Sequence, residues 1–242
     1  DKMNIRSDVI FANQAETTGY EKIEYKDFHA EMITTATRGV GLNRNLALFY
    51  ATGDLLVLAD DDMVYDRDYV EMVQKAFEKH PDADAVIFNI RTVGARSDRR
   101  LNRKESKVAF YNALNYGAAR IAVRRESLMK SRICFSTYFG GGCRYSAGED
   151  SLFICDMLRH GFRIYTSVDV IATVDQSTST WFQGYTEKYF QDKGAFYKAA
   201  FGSFASVMCL QDLIRHRKRY LTSGFGMVNI LRMMKKGAYD YR

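Results

Sequence analysis

At 242 residues the chain has room for one large domain, or one domain with an appendage, and 47% hydrophobic with 26% charged residues is the make-up of a packed globular protein. No apolar run approaches the ~20 residues that a membrane span requires, and the opening residues show no secretory-signal pattern. The formal charge of +6 is lopsided: residues 176–242 hold 11 Lys or Arg against 4 Asp or Glu, a net of +7, which leaves −1 for the first 175 residues.

With Pro81 the one proline, the punctuation falls to glycine and polar clusters. The segment SDVIFANQ reads as a short buried strand entering a polar loop. GLNRNLALFYATGD has helical apolar spacing at Leu42, Leu46, Phe49 and Tyr50 and a stop at Gly53. LLVLA is a continuous apolar strand, the pattern of a sheet covered on both faces. Asp66 is placed to cap a helix through RDYVEMVQKAFEKH, and ADAVIFNI follows as a strand. Residues 94–107 are basic and without periodicity, an expected exposed loop. AARIAVRRESL reads as a strand leading into a short helix, and YFGGGCRYSAGED is glycine-rich. EDSLFICDMLRHGF reads as an amphipathic helix ending at Gly161, and RIYTSVDVIATV as a β-branched strand. From Thr180 onward the pattern is helical, with expected breaks at Gly194, Gly202, Gly224 and Gly226. Alternating strands and helices of these lengths predict an α/β domain with a mainly parallel sheet over 1–175, and a basic, aromatic, helical extension over 176–242. Cys134, Cys143, Cys155 and Cys209 form no CxxC pair and read as reduced thiols.

Two acidic clusters carry the chemistry. LLVLA runs into Asp60, Asp61 and Asp62, beyond the carboxyl end of a strand, where open α/β sheets collect ligands. In an extended segment Asp60 and Asp62 face one way and Asp61 the other. Such oxygens suit Mg²⁺ or Mn²⁺ bridging to phosphate; a solvated acidic turn is the plainer alternative. Glu149 and Asp150 follow Gly148 in the first turn of a helix, where acids favour the macrodipole and where one of them can also serve as a general base.

In this order along one α/β chain, TRGVGLNRNLALFYATGDLLVLADDDMVYDRDYVEMV and GEDSLFICDMLRHGFRIY resemble the family 2 inverting glycosyltransferases of GT-A fold. The resemblance covers about residues 8–175, with a looser match in STSTWFQGYTEKYFQDKGAFY. It implies that Asp60 and Asp62 hold the metal and the sugar-nucleotide diphosphate. The family usually has Asp-x-Asp-Asp where this chain has Asp-Asp-Asp-Met, so a register that counts Asp61 among the donor-binding residues stays open. Asp150 matches the catalytic base, with Glu149 beside it facing the acceptor. Arg44 matches an arginine of the nucleotide-side helix, its alternative being a surface position. The family's first strand and its base-holding loop have no counterpart in DKMNIRSDVIFANQ, which reads as the end of the first helix and then the second strand. At the end of that strand Asn13 stands where the family often reads the base or ribose with an acid.

The reaction so implied is metal-dependent inverting transfer of a sugar from a nucleotide-sugar, a UDP-sugar foremost, to a hydroxyl of a glycan or lipid-linked acceptor. Gly141 and Gly142 would form the acceptor-side wall. Trp181 reads either as a sugar-stacking platform or as a core anchor of the tail, and Lys188 and Lys193 as solvated helix lysines within reach of a diphosphate. The resemblance implies bacterial polysaccharide or glycolipid assembly on the cytoplasmic side. The basic stretches 94–107 and RHRKRY (215–220) read as holding either a lipid-diphosphate acceptor or, in peripheral contact, the anionic inner face of the membrane. A nucleotide-sugar-binding module without turnover is the alternative. Nucleic acid is not an expected partner, since the acidic cluster repels phosphate unless a metal intervenes.

Overall fold

The computed structural model describes residues 2–93, 101–175 and 184–241. Trp181 and part of the basic 94–107 loop therefore lie outside the described residues. The chain begins with β1 (Val9–Gln14), β2 (Gly19–Glu24) and β3 (His29–Thr35), which form a small sheet in the order β1-β3-β2. Helix α1 (Val40–Tyr50) leads to β4 (Leu55–Val57), β5 (Met63–Tyr65), α2 (Tyr69–Lys79), β6 (Ala85–Val93) and β7 (Ser106–Lys107). Then come β8 (Ile121–Arg124), α3 (Arg125–Ser131), α4 (Glu149–Arg159) and β9 (Ile164–Asp175), and the chain finishes with α5 (Glu187–Phe201), α6 (Ala205–Tyr220) and α7 (Met227–Asp240). The second sheet has the order β4-β8-β6-β9-β5, with β7 also paired to β9.

The expected α/β class and mixed sheet hold, but parallel pairs do not predominate. Among the described strands, β1 with β3 and β6 with β9 are parallel, and the other pairs are antiparallel. Alternating strands and helices predict parallel neighbours, yet β4, β5 and β7 meet β8, β9 and β9 antiparallel, and the continuity of the apolar runs reports only burial on both faces. Leu56 and Leu58 pack into one core cluster while Leu55 and Val57 pack against the other, so β4 is indeed covered on both sides. Helix α4 supplies Phe153, Ile154 and Met157, all fully buried, and Phe153 stacks on Phe135 at 3.9 Å. Each such side chain contributes about 1.5–3 kcal/mol through removal from water.

Local expectations need four corrections. Strand β1 is half-buried, not buried. Helix α2 starts at Tyr69 with Asp68 in the cap position, because Asp66 closes a turn through its carbonyl to Tyr69 N–H (3.2 Å). In α1 the expected apolar face is turned outward: Leu42, Phe49 and Tyr50 are exposed, while Gly41 and Leu48 are buried. The inward face of α1 is thus partly polar, and its polar residues build the site.

The fourth correction concerns Gly194, which does not break the tail but lies within α5. A Cβ there would fall 1.8 Å from the Met234 carbonyl oxygen, and one at Gly237 would fall 1.9 Å from that of Gln191. The two glycines let α5 and α7 touch backbone to backbone. Together with α6 these helices enclose their own core of Phe190, Cys209, Leu213, Ile230 and Met234. Buried Asp212 accepts hydrogen bonds from Tyr197 (2.7 Å) and Tyr220 (2.5 Å) and pairs with Lys193 (3.1 Å). A further cluster of Phe139, Tyr145, Leu152 and Ala195 joins this bundle to the α/β unit. All four cysteines are free.

Candidate active site

The site is assembled around α1. Its first turn is tied to the end of β1, where Gln14 Nε2 donates to the Gly39 carbonyl (3.1 Å) and Asn43 Nδ2 to that of Ala12 (2.7 Å). On the inward face, Asn45 makes a two-way bond with the Phe135 backbone (2.9 and 2.7 Å). Gly41 permits that approach, since a Cβ there would lie 2.0 Å from the Ser136 carbonyl oxygen. Between Gly41 and Leu48, one turn from each, stands Arg44.

Arg44 is 14% exposed, which removes the surface-helix alternative. Its guanidinium lies 5.3 Å from the Phe135 ring centroid and reaches both acidic clusters. Nη2 donates to Asp60 Oδ1 at 3.0 Å, and Nη1 to Asp150 Oδ1 at 2.5 Å and Glu149 Oε1 at 3.3 Å. Burial alone would lower the Arg44 pKa, but the charges of Asp150, Asp60 and Glu149 prevail and raise it. One cation faces three carboxylates, so the cluster is two negative charges in excess. A proton on Glu149 relieves part of that: burial, then the Asp150 charge, push its pKa up to about 7, while Arg44 opposes from the longer of its Nη1 bonds.

The acidic triplet sits in a turn rather than on an extended strand. Residues 61–62 are turn positions, and Met63 N–H reaches the Asp60 carbonyl at 3.4 Å. The alternation expected for Asp60 and Asp62 therefore does not apply, because β4 ends at Val57 and the chain reverses directly into β5. All three aspartates are exposed. Burial, then the Asp60 charge, raise the pKa of Asp62, the state of a carboxylate crowded by like charge. Among the described residues, no three His, Cys, Asp or Glu side chains converge into a ready-made metal cage.

Glycines shape the wall opposite. Gly148, at φ 122°, caps α4 where a Cβ would meet the Phe196 ring at 2.6 Å. Gly140, at φ 106°, abuts Glu149: a Cβ would lie 2.8 Å from its carboxyl carbon and 2.4 Å from Val40 Cγ1. Gly117 leaves space beside Asp150, with its Cβ position 3.3 Å from Oδ2. Gly141 and Gly142 lie against the start of α1, the former accepting Val40 N–H at 3.0 Å and the latter backing onto Gly39. Sequence reasoning missed Gly117 and Asn45, while Gly140 lies within the glycine-rich stretch YFGGGCRYSAG. The repeated Asn of NRN beside Arg44 was the available signal for Asn45; Gly117 sits in no motif.

Asn13 is exposed at the end of β1 with its amide on Thr34 Oγ1 (3.2 Å), outside the network around Arg44. The glycine-rich loop is instead held from the C-terminal bundle. Asp192 accepts the Ser146 N–H (3.0 Å) and its hydroxyl, and Lys188 donates to the Arg144 carbonyl (2.9 Å) and to Asp192 (2.8 Å). Lys193 is thus engaged within the tail by Asp212, whereas Lys188, its side chain 62% exposed, stays solvated while it pairs with Asp192.

Two carboxylate clusters meet at one arginine beyond a strand end of a mixed α/β unit, and solved structures share this fold. The glycosyltransferase TarS of S. aureus (residues 1–349, with UDP-GlcNAc) superposes with TM-score 0.62 at 17% identity, over 83% of this chain and 60% of that one. The same TarS fragment with UDP gives 0.58 at 18%, over 82% and 58%. A mannosyltransferase from Pyrobaculum calidifontis, in complex with GDP-Man and Mn²⁺, reaches 0.47 at 19% identity over 86% and 56%, too low to bear on the fold. The chain spans about three fifths of the TarS chain that it matches. No curated protein sequence matches it significantly. The profile described as glycosyl transferase family 2 matches residues 7–140, more than half the chain, and the protein belongs to that family of sugar-transferring enzymes.

Proposed function

We propose that the protein transfers a sugar from a nucleotide-sugar donor to a hydroxyl of a glycan or lipid-linked acceptor by a single inverting displacement. The observation that carries this reading is the Arg44 bridge, which joins Asp60 on the donor side to Asp150 on the α4 side through one guanidinium. Asp150 is the base. Its Oδ1 is occupied by Arg44, and its Oδ2 faces the space left open by Gly117, where an acceptor hydroxyl can enter and give up its proton as it attacks the anomeric carbon. Glu149, its pKa raised to about 7, lines the same wall and offers a hydrogen bond in either protonation state. The TarS structures were solved with UDP-GlcNAc and with UDP, which favours a UDP-sugar as donor here.

The residues present fit a hard divalent cation. Asp60 and Asp62 offer carboxylate oxygens that crowd one another, and neither is confined to a full protein cage, as suits Mg²⁺ or Mn²⁺ sharing its shell with phosphate and water. When bound, that ion offsets the charge that develops on the departing diphosphate. Arg44 supplies the adjoining fixed positive charge and holds the base in place.

Asp150→Asn tests the assignment. Loss of one positioned base costs about 10²–10⁴-fold in rate, so turnover by nucleotide release should fall by that factor while Mn²⁺-dependent UDP-sugar binding, measured by calorimetry, persists. Wild-type turnover in the variant would refute the base. Donor binding without product in the wild-type chain would identify a nucleotide-sugar-binding module instead.

A further inference from the structure

Among the described residues, none covers the solvent face of α6. Ala205, Cys209, Asp212, Leu213 and Tyr220 point into the bundle. On the opposite side Val207, Leu210 and Ile214 follow helical spacing, and Leu221 continues the line one heptad further; these four are between 46% and 62% exposed. Arg215, Arg217, Lys218 and Arg219 are exposed at the same end of the helix. The one acid of α6, Asp212, is buried and bonded to Tyr197 and Tyr220, so α6 itself sets no exposed acid beside these cations.

We infer that the outer face of α6 is a docking surface for an anionic lipid bilayer. An apolar stripe bordered by cations is what lies in a membrane interface, the side chains entering the acyl boundary and the cations meeting acidic headgroups. A second copy of this chain is the poorer occupant, because its α6 face repeats the four exposed cations and offers them no exposed acid. The helix is too short and too polar to span a bilayer, and no described helix is long and apolar enough to do so.

The test is co-sedimentation of the chain with phosphatidylcholine vesicles, with and without about 30 mol% phosphatidylglycerol. Binding should require the anionic lipid and weaken with salt. Leu210→Asp with Ile214→Asp should cut partitioning by about 100-fold, roughly tenfold for each half-exposed side chain. Arg217→Ala, Lys218→Ala and Arg219→Ala together should also cost about 100-fold, near fivefold per charge. Both variants change exposed positions, so their circular dichroism and melting should match the wild type. Equal binding to neutral and anionic vesicles, absence of binding, or unaltered binding of either variant would overturn the inference. So would light scattering that shows a wild-type oligomer dissolved by the Leu210 and Ile214 changes.

Discussion

Replacing Glu149 with Gln should make the protein more stable, and only above the acid range. Glu149 is 12% exposed, and its pKa rises from the ordinary 4.5 to about 7, through burial first and the Asp150 charge second. Between those two values the folded state binds a proton that the unfolded state has already released. Stability therefore falls as pH rises from 4.5 to 7 and is level beyond, by about 1.4 kcal/mol for each pH unit of the difference. The full effect is about 3 kcal/mol, reduced to about 1–3 kcal/mol where Asp150 shares the proton. Glutamine keeps the volume and one acceptor oxygen but has no proton to lose. Urea unfolding of both proteins at about pH 5 and about pH 8 would read the difference directly. Asp62, whose pKa is also raised, is present in both, so the comparison isolates Glu149. If the gap between wild type and Glu149→Gln stays constant across that range, Glu149 does not titrate within it and the account of a carboxyl whose pKa is raised by burial and the Asp150 charge is wrong.

Arg44→Met should destabilise the chain by about 3 kcal/mol in urea titration, because Asp60, Glu149 and Asp150 lose the cation that they share. Gly117→Val fills the space beside Asp150 Oδ2, so the acceptor KM should rise at least ~10-fold while donor affinity by calorimetry stays unchanged. Gly237→Ala places a Cβ against the Gln191 carbonyl and must part α5 from α7, at about 3 kcal/mol in thermal or urea unfolding.

The sequence made the chemistry of the site more legible than its shape. The two acidic motifs were readable because they occur in order along one α/β chain; each alone has a plainer reading, as a solvated turn or as acids favoured by a helix dipole. Helix α1 was readable as a helix, but its buried face was not. A hydrophobic count places Phe49 and Tyr50 inward, whereas the structure buries Arg44 by giving its charge three partners brought from elsewhere in the chain. Strand direction was illegible for a similar reason, since apolar continuity is the same for parallel and antiparallel neighbours. Gly194 and Gly237 were read as interruptions or passed over, because close approach between α5 and α7 is a property of the pair and of neither segment alone.

Arg44 also sets a timetable for the nascent chain. Its contact with Asp60 closes 16 residues, and its contacts with Glu149 and Asp150 close 105 and 106. Closing the longer loop costs about 1.5–2 kcal/mol more in chain entropy than the shorter one. At a synthesis rate of about 5–20 residues per second, α4 follows Arg44 by about 5–20 s. Throughout that interval Asp60 is the only one of its three carboxylate partners to have been made. On the proposed assignment, a ribosome-bound chain holds the Asp60–Arg44 pair well before the residue proposed as base emerges with α4.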